Sequence, residues 1–251
     1  MPARLQDRIA LVTGSTDGIG VAIARELAAE GARVIVSGRN TERGLGVVAS
    51  IVDKGGRAEF IPADLALGST AIRELADLAN AKAGGRIDIL VNNAALLIEP
   101  APTSEVSEEL IDAALSVNVK AAFLLTGLIA PSMVERGEGA IINLGSINGL
   151  FGMAGSALYS ATKATLHSLT KSWAAEYGPA GVRVNAVAPG PTLTTKVEAW
   201  ADHIAPILAA IPSRRASSPE EVARAVVFLA SEDASNIHGA ILSVDGGRAA
   251  V

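Results

Sequence analysis

Along this chain, short runs rich in Val, Ile and Leu alternate with longer stretches of helical period, and no Ser/Gly-rich linker or internal repeat breaks the alternation. A strand, a helix and a second strand in succession close as a crossover between parallel neighbours. The pattern therefore predicts the α/β class: a doubly wound parallel sheet of about seven strands with helices on both faces. The expected strands cover 9–13, 33–37, 58–62, 87–92, 140–144, 183–188 and 240–244. The expected helices lie near 19–30, 41–54, 69–83, 108–135, 156–177 and 219–230. With 49% apolar residues but only eight aromatics, Ala, Val, Leu and Ile must fill the interior, as buried parallel strands and their helices prefer. The 251 residues suit one large domain, 1–251. The long stretch without strand character, 189–218, reads as a lid or substrate loop with a short helix around 197–210.

Several function classes are disfavoured. There is no cysteine, hence no disulfide framework, thiolate nucleophile or cysteine-ligated metal, which fits a cytoplasmic setting. The N-terminus has no signal-peptide pattern, and no uninterrupted apolar stretch reaches the roughly 18 residues a membrane helix needs, so no membrane partner is expected. The net charge is −5 and the basic residues are scattered, so nucleic acid is not an expected partner. His167, His203 and His238 lack metal-ligand spacing and read as surface or packing residues, so no metal site is expected. Ser146 is not in a GxSxG elbow, which disfavours acyl transfer.

In a doubly wound sheet, ligands bind beyond the carboxyl ends of the strands where the strand order reverses. After the first expected strand comes Thr13-Gly14-Ser15-Thr16-Asp17-Gly18-Ile19-Gly20, then a helix. Gly14 can make the tight turn, Gly18 lets backbone approach a pyrophosphate, and Gly20 lets the helix pack closely, with helix N–H groups facing the anion. The residues from Gly14 through Ser15, Thr16, Asp17, Gly18 and Ile19 to Gly20 are thus candidate dinucleotide contacts. The second strand ends Val36-Ser37-Gly38-Arg39-Asn40, with no carboxylate for a ribose diol and with Arg39 able to offer a fork to a 2′-phosphate. NADP(H) is favoured on that ground, and NAD(H) stays open because Asp17 is an opposing charge. Asp64, beside Leu65 at the end of the third strand, reads either as an adenine contact or as a helix N-cap.

Ser156-Ala-Leu-Tyr159-Ser-Ala-Thr-Lys163 puts Tyr and Lys one helical turn apart, thirteen residues after Ser146 at a predicted strand end. Together with TGSTDGIG, Asn92-Asn93-Ala94, Asn118 in Val-Asn-Val-Lys, Asn185 before Val-Ala-Pro-Gly, and Val244-Asp-Gly-Gly, this order resembles the short-chain dehydrogenase/reductases over essentially the whole chain. The resemblance implies a single Rossmann-type domain and an NAD(P)-dependent enzyme that interconverts a secondary alcohol and a ketone. It implies Tyr159 as general acid/base, Lys163 as its electrostatic partner, Ser146 as the carbonyl anchor and Asn118 as holder of a relay water. Lys163 would also bond the nicotinamide ribose. An ammonium one turn away is expected to lower the phenol's pKa from near ~10.

The same resemblance implies cofactor contacts at Asn92, Ala94, Pro189, Gly190, Thr192 and Thr194, and a homotetramer built on the two long helices. Leu96, Leu97, Leu150, Phe151, Met153, Leu193 and Trp200 are candidates for an apolar substrate wall. This chain departs from the family pattern at Ala95, where glycine is common, and at Asp17, where NADP-preferring members often carry a basic residue. A non-catalytic nucleotide-binding scaffold or sensor, and an epimerase or dehydratase with transient cofactor reduction, remain alternatives.

Overall fold

The computed structural model describes residues 3–195 and 201–251. Seven parallel strands form its sheet: β1 (Ile9–Val12), β2 (Arg33–Gly38), β3 (Arg57–Pro62), β4 (Ile89–Asn92), β5 (Gly139–Leu144), β6 (Val182–Pro189) and β7 (Ile241–Val244), in the order β3-β2-β1-β4-β5-β6-β7. The chain winds outward from β1 to β3 and then in the opposite direction from β4, so the strand order reverses between β1 and β4. A crevice is expected at that switch point, at the carboxyl ends of the strands.

The helices are α1 (Gly18–Ala29), α2 (Thr41–Val52), α3 (Ser69–Lys82), α4 (Glu108–Leu115), α5 (Ala121–Arg136), α6 (Ala157–Tyr177), α7 (Ala201–Ala210) and α8 (Pro219–Ala230). Successive strand side chains point to opposite faces, and here both faces are apolar. Ala10, Val12, Val34, Val36, Ile89 and Val91 meet Ile23 and Leu27 of α1 and Val226 of α8 in one layer. Leu11, Ile35 and Leu90 meet Leu75 of α3, Leu125 and Ile129 of α5 and Trp173 of α6 in the other. Two-sided burial explains why the strands read as apolar runs rather than alternating ones.

The helix expected over 108–135 is interrupted. Between α4 and α5 the segment Ser116–Lys120 makes one wide turn in which the Ala121 N–H donates to the Ser116 carbonyl, a π-type bond spanning five residues. The extra residue rotates Asn118 into the interior, where it is 1% exposed. The combined stretch Glu108–Arg136 is long and apolar enough by composition to span a bilayer, a test that core helices also pass. Its residues Leu125, Ile129 and Met133 are packed inside the second layer. Of the helix expected over 197–210, α7 accounts for Ala201–Ala210, and residues 197–200 lie outside the described residues.

Buried amides tie the central strands to α5 and α6. Asn92 at the end of β4 donates through Nδ2 to Asn143 Oδ1 of β5 (2.9 Å) and to Thr126 Oγ1 (3.1 Å), and Asn143 Nδ2 donates to Thr170 Oγ1 (2.8 Å). Asn143→Ala should leave one Asn92 N–H without its acceptor in a dry interior and remove the bond that Thr170 Oγ1 accepts, its donation to the Leu166 carbonyl remaining, at a cost of roughly 2 kcal/mol. Urea unfolding of the variant checks this, and a loss below about 1 kcal/mol would show that the amide bridge contributes little.

Candidate active site

A cleft of about 490 Å³ opens at the carboxyl ends of the strands, at the β1/β4 switch point. One end is walled by the turn after β1 and the end of β2, the other by Ser146, Tyr159 and Lys163. The turn requires glycine for specific reasons. Gly14 and Gly18 have φ of 63° and 52°, which other residues rarely adopt. A Cβ on Gly14 would lie 2.7 Å from Ala94 Cα, and one on Gly20 would overlap the Gly14 carbonyl oxygen. The segment after β4 is fastened to this turn: Asn93 Nδ2 donates to the carbonyls of Thr13 (2.8 Å) and Gly14 (3.0 Å), and the N–H groups of Asn93 and Ala94 donate to Thr13 Oγ1 (both 3.0 Å). This is a bare backbone cradle at a helix start, suited to an extended, phosphorylated ligand, and its dimensions fit a dinucleotide.

Most of the residues expected at the cofactor border this cleft: Gly14, Thr16, Asp17, Gly18, Ile19 and Gly20 from the turn, Arg39, Asp64 and Leu65 from the ends of β2 and β3, and Ala94, Pro189, Gly190, Thr192 and Thr194 from the segments after β4 and β6. Two are corrected. Ser15 is fully buried, its Oγ donating to the Val12 carbonyl (2.7 Å) and accepting from Ser37 N (3.0 Å), so its side chain braces β1 to β2 instead of facing the cleft. Asn92 turns into the amide network described above, because side chains alternate along β4 and the next position, Asn93, is the one that borders the cleft. Asp64 both borders the cleft and caps a short helical turn, its Oδ1 accepting from Ala66 N at 3.0 Å.

At the other end, α6 carries Tyr159 and Lys163 one turn apart. Lys163 is 3% exposed, and its Nζ donates to the Leu144 carbonyl at the end of β5 (2.7 Å) while lying 5.6 Å from the centroid of the Tyr159 ring. Burial pulls the ammonium down to about 8. The phenol differs from the sequence expectation: burial dominates and pushes Tyr159 up to about 12, with the Ser146 hydroxyl opposing the rise. With the phenol pushed up by desolvation, Tyr159 keeps its proton at neutral pH.

Ser146, 7% exposed, follows β5 with its Oγ accepting from Asn148 N (3.2 Å). Asn118 is not on the cleft wall. Its Oδ1 accepts from Leu96 N (2.6 Å) and its Nδ2 donates to the Leu96 carbonyl (3.1 Å) and Thr162 Oγ1 (3.3 Å), so the side chain is occupied in joining the π turn to the segment after β4 and to α6.

Leu96 and Leu97 border the cleft, Leu150, Met153 and Leu193 are exposed apolar side chains, and Phe151 lies under the Arg248 guanidinium at 4.8 Å; Trp200 falls outside the described residues. Sequence reading missed Arg43 and Asn93, while His167, read as a surface or packing residue, is a packing one. The buried His167 imidazole sits under the loop carrying Ser146, where a Cβ on Gly145 would overlap its Nε2 and one on Gly149 would come within 2.8 Å of its Cε1. Burial, then the nearby Lys163 and Lys171, hold it below its usual pKa, with the Gly149 backbone opposing.

Comparison with known proteins gives one consistent picture. Residues 14–249 match a family model described as enoyl-(acyl carrier protein) reductase. The chain is 40% identical to cis-4-hydroxycyclohexanecarboxylate dehydrogenase of Sinomonas cyclohexanicum, over 98% of each chain. A solved structure described as a short-chain dehydrogenase/reductase family protein is 42% identical with a TM-score of 0.89, covering 99% of this chain and 100% of that one. Another, from Beutenbergia cavernae, described as a candidate NAD(P)-dependent gluconate 5-dehydrogenase with NADP bound at low occupancy, is 39% identical with a TM-score of 0.93 over 100% of both chains.

Lys163 and Tyr159 together predict how stability varies with pH. Lys163 titrates near 8 when folded and near its ordinary 10.5 when unfolded, so between those values the unfolded chain holds more protons and stability rises with pH. Tyr159 reverses the trend above its ordinary 10.0, where the unfolded chain loses a proton that the fold keeps until about 12. Urea unfolding at about pH 7.5 and about pH 9.5 should show the parent chain gaining roughly 2 kcal/mol relative to Lys163→Met. Parallel behaviour of the two proteins would refute the burial cost assigned to the amine.

Proposed function

This chain belongs to the short-chain dehydrogenase/reductase family, and we propose that it interconverts a secondary alcohol and a ketone, with NADP(H) favoured over NAD(H) because Arg39, and no carboxylate, follows β2 on the cleft. The coarser statement, that it is an NAD(P)-dependent oxidoreductase, follows from the family itself. One observation carries the finer reading: a half-buried phenol, a serine hydroxyl and a lysine amine converge at one end of a cleft whose other end is a glycine cradle.

A nicotinamide cofactor, when bound, supplies or accepts hydride. In the reductive direction, the Tyr159 hydroxyl, still protonated at neutral pH, donates its proton to the carbonyl oxygen, while the Ser146 hydroxyl stabilises the charge that grows on that oxygen. Lys163, held by the Leu144 carbonyl, keeps a cation beside the ring as the phenolate forms. In the oxidative direction Tyr159 takes the proton back. Asn118 positions the π turn and the Leu96 segment in this scheme. Gly14, Gly18 and Gly20 give the pyrophosphate room, Arg39 receives the 2′-phosphate, and Thr192 and Thr194 border the nicotinamide end. The secondary-alcohol class is supported by the name of the Sinomonas relative, whose substrate carries a ring hydroxyl. A homotetramer in the cytoplasm completes the proposal. The half-exposed Phe123 of α5, 5.8 Å from Trp173 of α6, supports a helical interface.

A panel of cyclic and acyclic ketones and alcohols, offered with each nicotinamide cofactor and followed by near-ultraviolet absorbance, tests the reading. Tyr159→Phe should cut kcat by at least about 100-fold while leaving NADPH affinity within about threefold. Near-normal turnover in that variant would overturn the role of Tyr159. Cofactor binding with no turnover across the panel would favour a scaffold, and turnover without net cofactor oxidation or reduction would favour an epimerase or dehydratase.

A further inference from the structure

The opposing charge of Asp17 in the glycine turn has a partner. Asp17 caps α1, its Oδ1 accepting from Gly18 N at 2.9 Å, and its Oδ2 lies 3.3 Å from Nη1 of Arg43. Arg43 stands in the first turn of α2, where its own N–H donates to Asn40 Oδ1 (2.9 Å), four residues after Arg39, which precedes the helix. Asp17, Arg39, Asn40 and Arg43 all border the same end of the cleft.

We propose that Arg43 is a second selectivity residue for the cofactor: it screens Asp17 while the cleft is empty and exchanges that carboxylate for the 2′-phosphate of an adenosine ligand on binding. The proposal rests on the NADP(H) reading above and deepens it.

Exchange is chemically favourable here. The Arg43 side chain is 61% exposed and that of Asp17 33%, so the ion pair is weak and opens readily. A guanidinium gains more from a phosphate dianion, with its greater charge and several acceptor oxygens, than from one carboxylate oxygen. Asp17 is not abandoned, because the Gly18 N–H still holds its other oxygen. A ligand without the 2′-phosphate offers nothing to exchange for, so it meets Asp17 and Arg43 already paired. Selectivity then comes from two arginines acting together, Arg39 from the strand end and Arg43 from the helix. The carboxylate of Asp17 at the phosphate end of the cleft is thereby made tolerable.

Calorimetric titration of the full chain with 2′,5′-ADP and with 5′-ADP tests this without any substrate turnover. Arg43→Ala should weaken 2′,5′-ADP about tenfold and 5′-ADP less than about twofold. Asp17→Ser keeps a hydroxyl to cap α1 and should strengthen 2′,5′-ADP several-fold with little effect on 5′-ADP. Both positions are at the surface, and unchanged melting temperatures would show that the variants are folded. Arg43→Ala that leaves the preference for 2′,5′-ADP intact, or that weakens both ligands equally, overturns the role given to Arg43. If instead the parent chain binds 5′-ADP as tightly as 2′,5′-ADP and Arg39→Ala changes neither, the NADP(H) reading itself fails and takes this proposal with it.

Discussion

A buried ammonium must find an acceptor, and the Leu144 carbonyl, 2.7 Å from Lys163, is the one this fold supplies. That bond joins the middle of α6 to the last residue of β5, and the registry of the site follows from it. Ser146 leaves the sheet two residues after the accepting carbonyl, and Tyr159 stands one turn before the donating amine. The loop between them lies close on α6 because Gly149 has no Cβ; one would come within 2.8 Å of the Ala164 backbone nitrogen. Moving the helix along the strand by a residue would strand the amine and separate all three groups together.

The same dryness sets the acid–base character of the site. Burial acts on Lys163 and Tyr159 alike, favouring the neutral form of each, so the amine is lowered to about 8 and the phenol raised to about 12. A reading from spacing alone places a charge next to a phenol and infers acidification. In the folded chain the amine donates to a carbonyl, and removal from water, opposed by the Ser146 hydroxyl, sets the direction of the phenol's shift. The resting cleft therefore holds its proton on the oxygen that would donate it, with the Ser146 hydroxyl easing its departure.

Much of this was legible in the residues. Each strand was visible as an apolar run, and β1, β2 and β3 end within a residue of expectation, because both faces are covered and no polar alternation obscures the signal. The glycine turn and the Tyr159–Lys163 spacing pointed to the two ends of one cleft. What escaped was orientation. A π turn adds one residue without any local signature, so α4 and α5 read as one helix, and Asn118, expected to hold a relay water, is bonded instead to Leu96 and Thr162. Ser15 sits in the turn sequence but points inward, and Asn92 and Asn93 differ only in which way β4 presents them. Arg43 looked like any solvated cation on a helix, since its partner is 26 positions away in sequence.

The excursion after β6 returns to its starting point. Leu193 N donates to the Ser217 carbonyl and Ser217 N to the Pro191 carbonyl, both at 2.9 Å, with Thr192 bridged to Ser217. A segment pinched shut at its base behaves as a closed loop, and doubling the length of such a loop costs only about 0.6 kcal/mol of chain entropy. The stretch between Thr194 and the buried Ile211 can therefore be lengthened, shortened or rewritten at little expense to the sheet, so one scaffold can be refitted for molecules of different size while the chemistry below it stays unaltered.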